Sequence, residues 1–166
     1  PVLPYMASRS CYWGKCTFCT HSFIYDSHYR KENESKVAED LDALGKKYKT
    51  KYFTFSDEAI SPNAFDRMSK AILSQGVEMR ALGMLKFESD SVETVDLFKD
   101  MYQAGFLMLF FGLESANDRV LSIIEKGCDQ ATEKRVLENS SLAGIWNHLY
   151  LFFGFPTEEK HEAQET

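Results

Sequence analysis

Short apolar segments of strand length alternate with amphipathic segments along most of this 166-residue chain. The apolar segments lie at residues 51–56, 77–84, 106–112 and 146–154, and a fifth, VLPYMAS, opens the chain. Several of them carry apolar residues at consecutive positions, which is typical of parallel strands buried on both faces. The alternation therefore predicts an α/β fold of four βα units followed by a fifth strand.

The segments between the predicted strands have the periodicity of helices. Apolar residues share one helical face in three sets, namely Val37, Leu41, Leu44 and Tyr48, then Phe65, Met68 and Ile72, then Val95, Phe98, Met101 and Tyr102. Helix starts are predicted at Ser61-Pro62 and at Ser91, and helix ends at Gly76, Gly105 and Gly144.

Repeated βα units give a parallel sheet that either closes into a barrel or stays open, and both forms place chemistry at the carboxyl ends of the strands. The polar residues that follow each predicted strand are therefore expected to gather at one rim. They are Cys11 to Cys19, then Ser56, Asp57 and Glu58, then Lys86, then Glu114 and Ser115, then Gly154 to Pro156.

Three cysteines lie close together in the string CYWGKCTFC, directly after the first predicted strand. One loop that carries Cys11, Cys16 and Cys19 supplies enough thiolates to hold a metal ion or an iron–sulfur cluster. With no obvious fourth cysteine nearby, one metal position stays open to a ligand, which predicts an enzyme. The same three cysteines with His21 also fit a structural zinc site, so a zinc-stabilised α/β binding module without redox chemistry is the alternative.

Composition and charge restrict the remaining function classes. The net charge of -6, with Lys interleaved among Glu and Asp, leaves no basic stripe, so nothing signals nucleic-acid binding. No run of about 18 apolar residues predicts a membrane span, and nothing resembles a signal peptide. We therefore expect a cytoplasmic protein without membrane contact, in which the clustered cysteines bind metal rather than form disulfides.

The order of these motifs resembles the radical S-adenosylmethionine (radical SAM) superfamily over essentially the whole chain. The resemblance is carried by CYWGKCTFC, FSDEAIS, FFGLESANDRVLSIIEKG and AGIWNHLYLFFGFPTEE. Within the superfamily, the chain is most similar to members whose radical domain follows a cobalamin-binding domain. It departs from the commonest CxxxCxxC spacing, because four residues separate Cys11 from Cys16. This departure affects the subfamily that the chain resembles more than the superfamily.

The resemblance implies a partial parallel (β/α) barrel over residues 1–166, with about five βα units, that ends before the last barrel strand. It implies a 4Fe-4S cluster held by Cys11, Cys16 and Cys19, whose free iron binds S-adenosylmethionine. A 5′-deoxyadenosyl radical generated there would take hydrogen from an unknown substrate, with methyl transfer as one outcome. We further expect an electron donor such as flavodoxin or ferredoxin, cobalamin in a domain outside this chain, and weak cofactor affinity for this segment alone.

The resemblance also assigns cofactor contacts after the second and third strands. Ser56, Asp57 and Glu58 stand where the family binds the methionyl amino group, often through backbone carbonyls. Lys86 stands near a position where many relatives carry a basic residue that faces the cofactor carboxylate. The alternatives are a solvated loop for Asp57 and Glu58 and an exposed lysine for Lys86.

Further contacts are implied after the first, fourth and fifth strands. Glu114, with Ser115, stands where a polar residue reaches the ribose hydroxyls or the methionyl end of the cofactor. Phe18 and the Gly154-Phe155 pair would flank the adenine. The alternative for Glu114 is a surface carboxylate near the start of the following helix.

Three other residues have mainly structural interpretations. His148 lies within the fifth strand and is predicted to be a hydrogen-bonded core histidine. Cys128 is predicted to be an inert thiol. Trp13 either packs against the barrel or shapes the substrate side, and the sequence does not decide between the two.

Overall fold

A computed structural model describes residues 1–24, 28–88 and 93–166 of the chain, and at Ser22 and Phe23 it describes the backbone only. In chain order the elements are β1 (Val2–Tyr5), β2 (Ser8–Arg9), α1 (His21–Ile24), β3 (Arg30–Lys31), α2 (Glu34–Tyr48), β4 (Tyr52–Phe55), α3 (Pro62–Ser74), β5 (Arg80–Leu85), α4 (Val95–Ala104), β6 (Phe106–Glu114), α5 (Asp118–Ile123), α6 (Gln130–Leu142), β7 (Trp146–Leu151) and α7 (Lys160–Glu165).

Five parallel strands form the main sheet in the order β1-β4-β5-β6-β7. Each strand pairs with the next strand of the βα series, so the predicted α/β fold with five parallel strands is confirmed. Strands β2 and β3 form a separate antiparallel ribbon, which the sequence analysis did not predict. Because the strands run in one direction, their carboxyl ends share one rim, and the ribbon begins three residues after β1 ends at that rim.

The larger helices form one continuous layer, in which α2 packs on α3, α3 on α4 and α4 on α6. As predicted, Ser61 caps α3, and its side chain accepts a hydrogen bond from the Ala64 N–H. The predicted start at Ser91 lies outside the described residues, and the side chain that caps α4 is that of Thr94. Among the described residues, no helix has the length and apolarity needed to cross a membrane.

The core lies between this helix layer and one face of the sheet. Phe106 meets Phe65 of α3 edge to face, with ring centroids 5.1 Å apart, and it meets Phe55 of β4 at 5.3 Å. Along β5 and the second half of β6 buried residues alternate with half-buried ones. The prediction that strands are buried on both faces is therefore wrong, because the helices cover only one face.

The prediction of a buried core histidine at His148 is also wrong. His148 is exposed, because β7 is an edge strand and most of its side chains have no covering element. Its ring contacts the rings of Phe110 and Tyr150, with centroids 4.9 and 5.2 Å away. Neighbouring apolar residues in a strand therefore did not imply burial at the edge of the sheet.

Gly105 at the end of α4 offers a test of how closely the chain packs before β6. Its φ of 109° is left-handed, and an added Cβ would lie 2.1 Å from the Met79 carbonyl oxygen. Gly76 also has a left-handed φ of 66°, but an added Cβ there would meet no atom within 4 Å. Gly105→Ala should therefore lower the free energy of unfolding by roughly 1–3 kcal/mol more than Gly76→Ala does, as measured by urea denaturation. Equal losses in the two variants would contradict the close approach to Met79.

Candidate active site

A cavity of about 260 Å³ lies at the carboxyl ends of the strands. Seven of the residues predicted from the sequence line it, namely Cys11, Cys16, Phe18, Cys19, Glu58, Lys86 and Glu114. The other lining residues are Trp13, His21, Ala59, Met84, Leu85, Gly112, Lys126 and Tyr150. The parallel sheet thus brings segments more than a hundred residues apart in the sequence to one site.

The loop that carries the three cysteines is anchored to residues 123–127, which comprise the last residue of α5 and the turn after it and are called the 123–127 turn. The backbone N–H of Thr17 donates to the Ile124 carbonyl at 3.1 Å, and the Thr17 hydroxyl donates to the Ile123 carbonyl at 3.3 Å. The indole N–H of Trp13 donates to the Glu125 carbonyl at 2.8 Å. These three hydrogen bonds fix the loop on both sides of Cys16.

Trp13 packs directly on Gly127 and also lines the cavity, so its position agrees with both of the roles that the sequence left open. Gly127 has a φ of 75°, and a Cβ at this position would lie 2.2 Å from the indole ring, so only glycine fits. The ammonium groups of Lys15 and Lys86 lie 4.8 and 4.2 Å from the indole centroid, within the range of a cation–π interaction. Trp13 therefore joins the cysteine loop to the 123–127 turn and holds Lys86 beside the cavity.

Glu114 is turned toward Lys126 by an irregularity at the end of β6. The pairing with β7 shifts register between Gly112 and Glu114, and Glu114 has a left-handed φ of 65°. Its Oε1 lies 3.1 Å from the Nζ of Lys126, and the side chains of both residues are largely buried. A Cβ on Gly112 would lie 2.5 Å from the same Oε1, so glycine leaves the space that this ion pair occupies.

Lys86 is buried, so the alternative of an exposed lysine is wrong. Its ammonium donates to the Phe87 carbonyl at 2.8 Å and lies 3.7 Å from the Oε1 of Glu88. The Tyr12 hydroxyl donates to the same carboxylate oxygen at 2.5 Å, and burial followed by this hydrogen bond raises the pKa of Tyr12. A neutral phenol next to Cys11 therefore connects the cysteine loop to Lys86 through Glu88.

The three thiols at the cavity differ in exposure. Cys11 and Cys16 are half-buried and Cys19 is exposed. Burial raises the pKa of the Cys16 thiol, while the nearby positive charge of Lys126 opposes this effect. Among the described residues, no three His, Cys, Asp or Glu side chains converge on a single metal ion. A 4Fe-4S cluster needs no such convergence, because each thiolate binds a different iron atom.

The fourth cysteine lies outside the lining of this cavity. Burial, followed by the charge of Glu133, raises the pKa of Cys128 to about 12, so this thiol is protonated at neutral pH. Its Sγ lies 3.8 Å from the Oε1 of Glu133. An unreactive thiol is what the sequence analysis predicted, and Cys128 provides an internal control for the other three.

Two of the three residues predicted after β4 do not line the cavity. Asp57 is buried, and its carboxylate accepts hydrogen bonds from the Ala7 N–H at 3.1 Å and from the Ser8 N–H at 2.5 Å. Burial raises the pKa of Asp57, and these hydrogen bonds oppose the shift. The Ser56 hydroxyl donates to the Tyr5 carbonyl at 3.2 Å. Only Glu58 of this group reaches the cavity, where its carboxylate contacts the Nε2 of His21.

Ser115 and Gly154 also lie outside the cavity lining. The Ser115 hydroxyl is buried and lies 3.1 Å from the Thr166 Oγ1, while its neighbour Glu114 points to Lys126. The backbone N–H of Gly154 donates to the Glu158 carboxylate. Ser115 and Gly154 therefore make contacts within the segments that follow β6 and β7, outside the cavity.

Phe155 connects to the cavity through a chain of aromatic rings. Its ring lies 5.9 Å from Phe152, and Phe152 meets Phe18 edge to face at 5.1 Å. Phe152 and Phe155 also pack on the small apolar cluster that includes Val120. Of these rings, that of Phe18 lies at the cavity itself.

Lys126 received no role from the sequence, although Lys126 and Gly127 end the quoted motif FFGLESANDRVLSIIEKG. That pair was the available signal, because Lys126 provides the partner charge and Gly127 provides the space for Trp13. Met84 and Tyr150 had no comparable signal. They lie at strand positions where burial depends on whether the second face of the sheet is covered.

Comparison with known proteins gives a family match over nearly the whole chain. The sequence model of the Radical SAM superfamily matches residues 5–166. An uncharacterized methyltransferase of Pyrococcus horikoshii is 27% identical over 164 residues, which cover 97% of this chain and 35% of that protein. The chain thus spans about a third of the length of this curated relative.

Two solved structures share the fold over almost the full chain. The cobalamin-dependent S-adenosylmethionine radical enzyme OxsB, with aqua-cobalamin and S-adenosylmethionine bound, has a TM-score of 0.83 and 18% identity, over 99% of this chain and 25% of its own. The radical S-adenosylmethionine methyltransferase TsrM from Kitasatospora setae, with cobalamin and a 4Fe-4S cluster bound, has a TM-score of 0.76 and 15% identity, over 97% of this chain and 30% of its own.

These matches confirm the family resemblance inferred from the motifs and the similarity to cobalamin-dependent members. The parallel sheet is that of a partial radical SAM barrel. The family match covers the cysteine loop, the 123–127 turn and every strand-end residue described above. The chain therefore belongs to the radical SAM superfamily.

Proposed function

We propose that this chain is the catalytic core of a radical SAM methyltransferase that binds a 4Fe-4S cluster through Cys11, Cys16 and Cys19. The observation that carries the proposal is the arrangement of these three thiols, on one anchored loop, around a cavity at the carboxyl rim of the parallel sheet. Membership in the superfamily implies a 4Fe-4S cluster and S-adenosylmethionine as cofactors.

The charges at the cavity suit this ligand set. Three thiolates at one site repel one another, and two buried ammonium groups, those of Lys86 and Lys126, line the same cavity. Each lysine keeps one carboxylate neighbour, Glu88 or Glu114, so its positive charge is already stabilised in the protein. When bound, the reduced cluster and S-adenosylmethionine together supply a 5′-deoxyadenosyl radical for hydrogen abstraction from the substrate.

Other lining residues are placed to hold S-adenosylmethionine. The Glu114 carboxylate accepts from Lys126 through Oε1 and retains acceptor capacity for a hydroxyl or ammonium group of the cofactor. Glu58 lines the cavity from the segment that follows β4, and its carboxylate contacts the Nε2 of His21. The exposed ring of Phe18 offers an aromatic surface to the adenine.

Methyl transfer and cobalamin use are inferred from the relatives. The Pyrococcus protein is named as a methyltransferase, and the OxsB and TsrM structures contain bound cobalamin. Cobalamin would bind in a domain outside these residues. Reduction of the cluster would require an external one-electron donor of the flavodoxin or ferredoxin class.

Replacing the cysteines one at a time tests cluster binding. Cys16→Ala should abolish the brown absorbance and the iron content of anaerobically reconstituted protein, because two thiolates do not hold the cluster. The matched control is Cys128→Ala, which removes a thiol that does not line the cavity and should leave both readouts unchanged.

Equal iron content in the Cys16→Ala and wild-type proteins would contradict the assignment. Stoichiometric zinc in place of iron would favour the zinc-stabilised module instead. Loss of iron in both cysteine variants would mean that the loss reflects general instability. Circular dichroism spectra of both variants therefore accompany the iron assay.

Glu114→Gln tests the proposed contact with S-adenosylmethionine. The substitution removes a charged acceptor at the cavity, so affinity for S-adenosylmethionine should fall by about tenfold, measured by anaerobic calorimetry on the reconstituted protein. Cluster absorbance should persist, since Glu114 is not a cluster ligand in this proposal. Glu138→Gln on the exposed surface of α6 is the matched control. Unchanged affinity in Glu114→Gln would exclude a direct contact between this carboxylate and the cofactor.

A further inference from the structure

A second pocket, of about 220 Å³, lies beside the cysteine cavity and is lined in part by the β2–β3 ribbon. We call it the arginine pocket and define it by Arg9, Ser10, Arg30, Ser56 and Glu58. Two of these side chains carry guanidinium groups and two carry hydroxyl groups. The Ser56 hydroxyl already donates to the Tyr5 carbonyl, so the two guanidinium groups are the main donors that these five residues offer to a ligand.

The two arginines lie directly opposite each other across the antiparallel ribbon. Like charges in directly opposed positions repel each other and destabilise a two-stranded pairing. Within the described part of the chain, neither arginine forms an ion pair with a carboxylate of its own protein. Glu58 is the one acidic side chain that lines the pocket among the described residues, and its carboxylate contacts His21. An anionic group bound between Arg9 and Arg30 would relieve their repulsion.

The ribbon holds the two arginines on a fixed support. The buried carboxylate of Asp57 accepts hydrogen bonds from the Ala7 N–H, the Ser8 N–H and the Ser8 hydroxyl. The backbone N–H of Glu32, just after β3, donates to the Ala7 carbonyl at 2.8 Å. Arg9 and Arg30 are thus attached to the rim of the sheet through both strands of the ribbon. Because the ribbon backbone is fixed, binding of a carboxylate or phosphate has to order only the two arginine side chains.

Glu58 lines both the arginine pocket and the cysteine cavity, so the two spaces adjoin. A molecule whose anionic end lies between the arginines and whose other end passes Glu58 would enter the cysteine cavity. We propose that the arginine pocket binds a carboxylate or phosphate group of the substrate and so orients the substrate carbon toward the cluster. This assignment rests on the proposed function, because it requires radical chemistry in the neighbouring cavity.

The same two guanidinium groups could bind the carboxylate of S-adenosylmethionine. The experiment must therefore separate an anionic group of the substrate from the carboxylate of the cofactor. The first measurement is nuclear magnetic resonance of protein carrying ¹⁵N-labelled arginine, titrated with inorganic phosphate and then with acetate. The Nε–H signals of Arg9 and Arg30 should shift together and saturate. The signal of Arg80, at the opposite end of the sheet, should not change. Shifts of all arginines without saturation would overturn the proposal, because they would indicate only non-specific counterion attraction.

Variants then test the pocket and identify the source of the anion. Arg9→Gln and Arg30→Gln should each weaken phosphate binding by at least about tenfold, and Arg80→Gln, with the same change of charge, should not. The affinity of the reconstituted variants for S-adenosylmethionine should stay within about twofold of the wild-type value, because the proposal has neither arginine contact the cofactor. Loss of a charged contact with the cofactor would instead lower this affinity by about tenfold. A parallel loss of S-adenosylmethionine affinity would assign the pocket to the cofactor and overturn the assignment to the substrate.

The phosphate titration requires no cluster, so the two proposals can fail separately. Saturable phosphate binding in a protein that does not assemble an iron–sulfur cluster would contradict radical function and with it the substrate assignment. A protein that assembles the cluster and binds S-adenosylmethionine, but shows no saturable shifts at Arg9 and Arg30, would contradict the arginine pocket alone.

Discussion

The packing of Trp13 on Gly127 is the contact on which the cysteine site depends. The indole closes the gap between the cysteine loop and the 123–127 turn, and an added Cβ on Gly127 would occupy the same space. The same turn places Lys126 against Glu114 at the end of β6, and the same indole lies under the ammonium of Lys86. Together with the Thr17 hydrogen bonds and the Lys126–Glu114 ion pair, this aromatic contact positions the cysteine loop and both buried cations relative to the sheet.

One face of the sheet packs on the helices and forms the core, and the other face carries residues of the candidate site. Alternate residues of β5 and β6 are buried against the helices, and Phe106 and Phe111 are fully buried there. The intervening positions of the two strands, which include Met84, Gly112 and Glu114, are only half-buried, and these three residues line the cysteine cavity. Because the strand period is two, a change at a helix-facing position alters packing, whereas a change at the next position alters the site. Changes at the half-buried positions should therefore alter the site without loss of the core, whereas Leu85 is buried in the core and also lines the cavity.

The fold was largely predictable from the sequence, because strand-length apolar segments, helical periodicity and capping residues agree along the chain. The rim location of the site followed from parallel topology, and seven of the predicted residues do line one cavity. Side-chain direction at the rim was not predictable. Asp57 turns to backbone N–H groups at residues 7 and 8, and Ser115 turns to Thr166, and these partners are about fifty positions distant in the sequence. His148 was misjudged because apolar neighbours do not reveal that a strand lies at the edge of a sheet.

The central claim is that three thiols of the cysteine loop hold an iron–sulfur cluster with one iron open to S-adenosylmethionine. Low-temperature electron paramagnetic resonance of the anaerobically reconstituted, reduced protein tests this claim most directly, with spectra recorded before and after the addition of S-adenosylmethionine. Our account predicts a cluster signal whose shape changes when S-adenosylmethionine is added, because the cofactor binds the open iron. A sample that shows no cluster signal and contains stoichiometric zinc would contradict it.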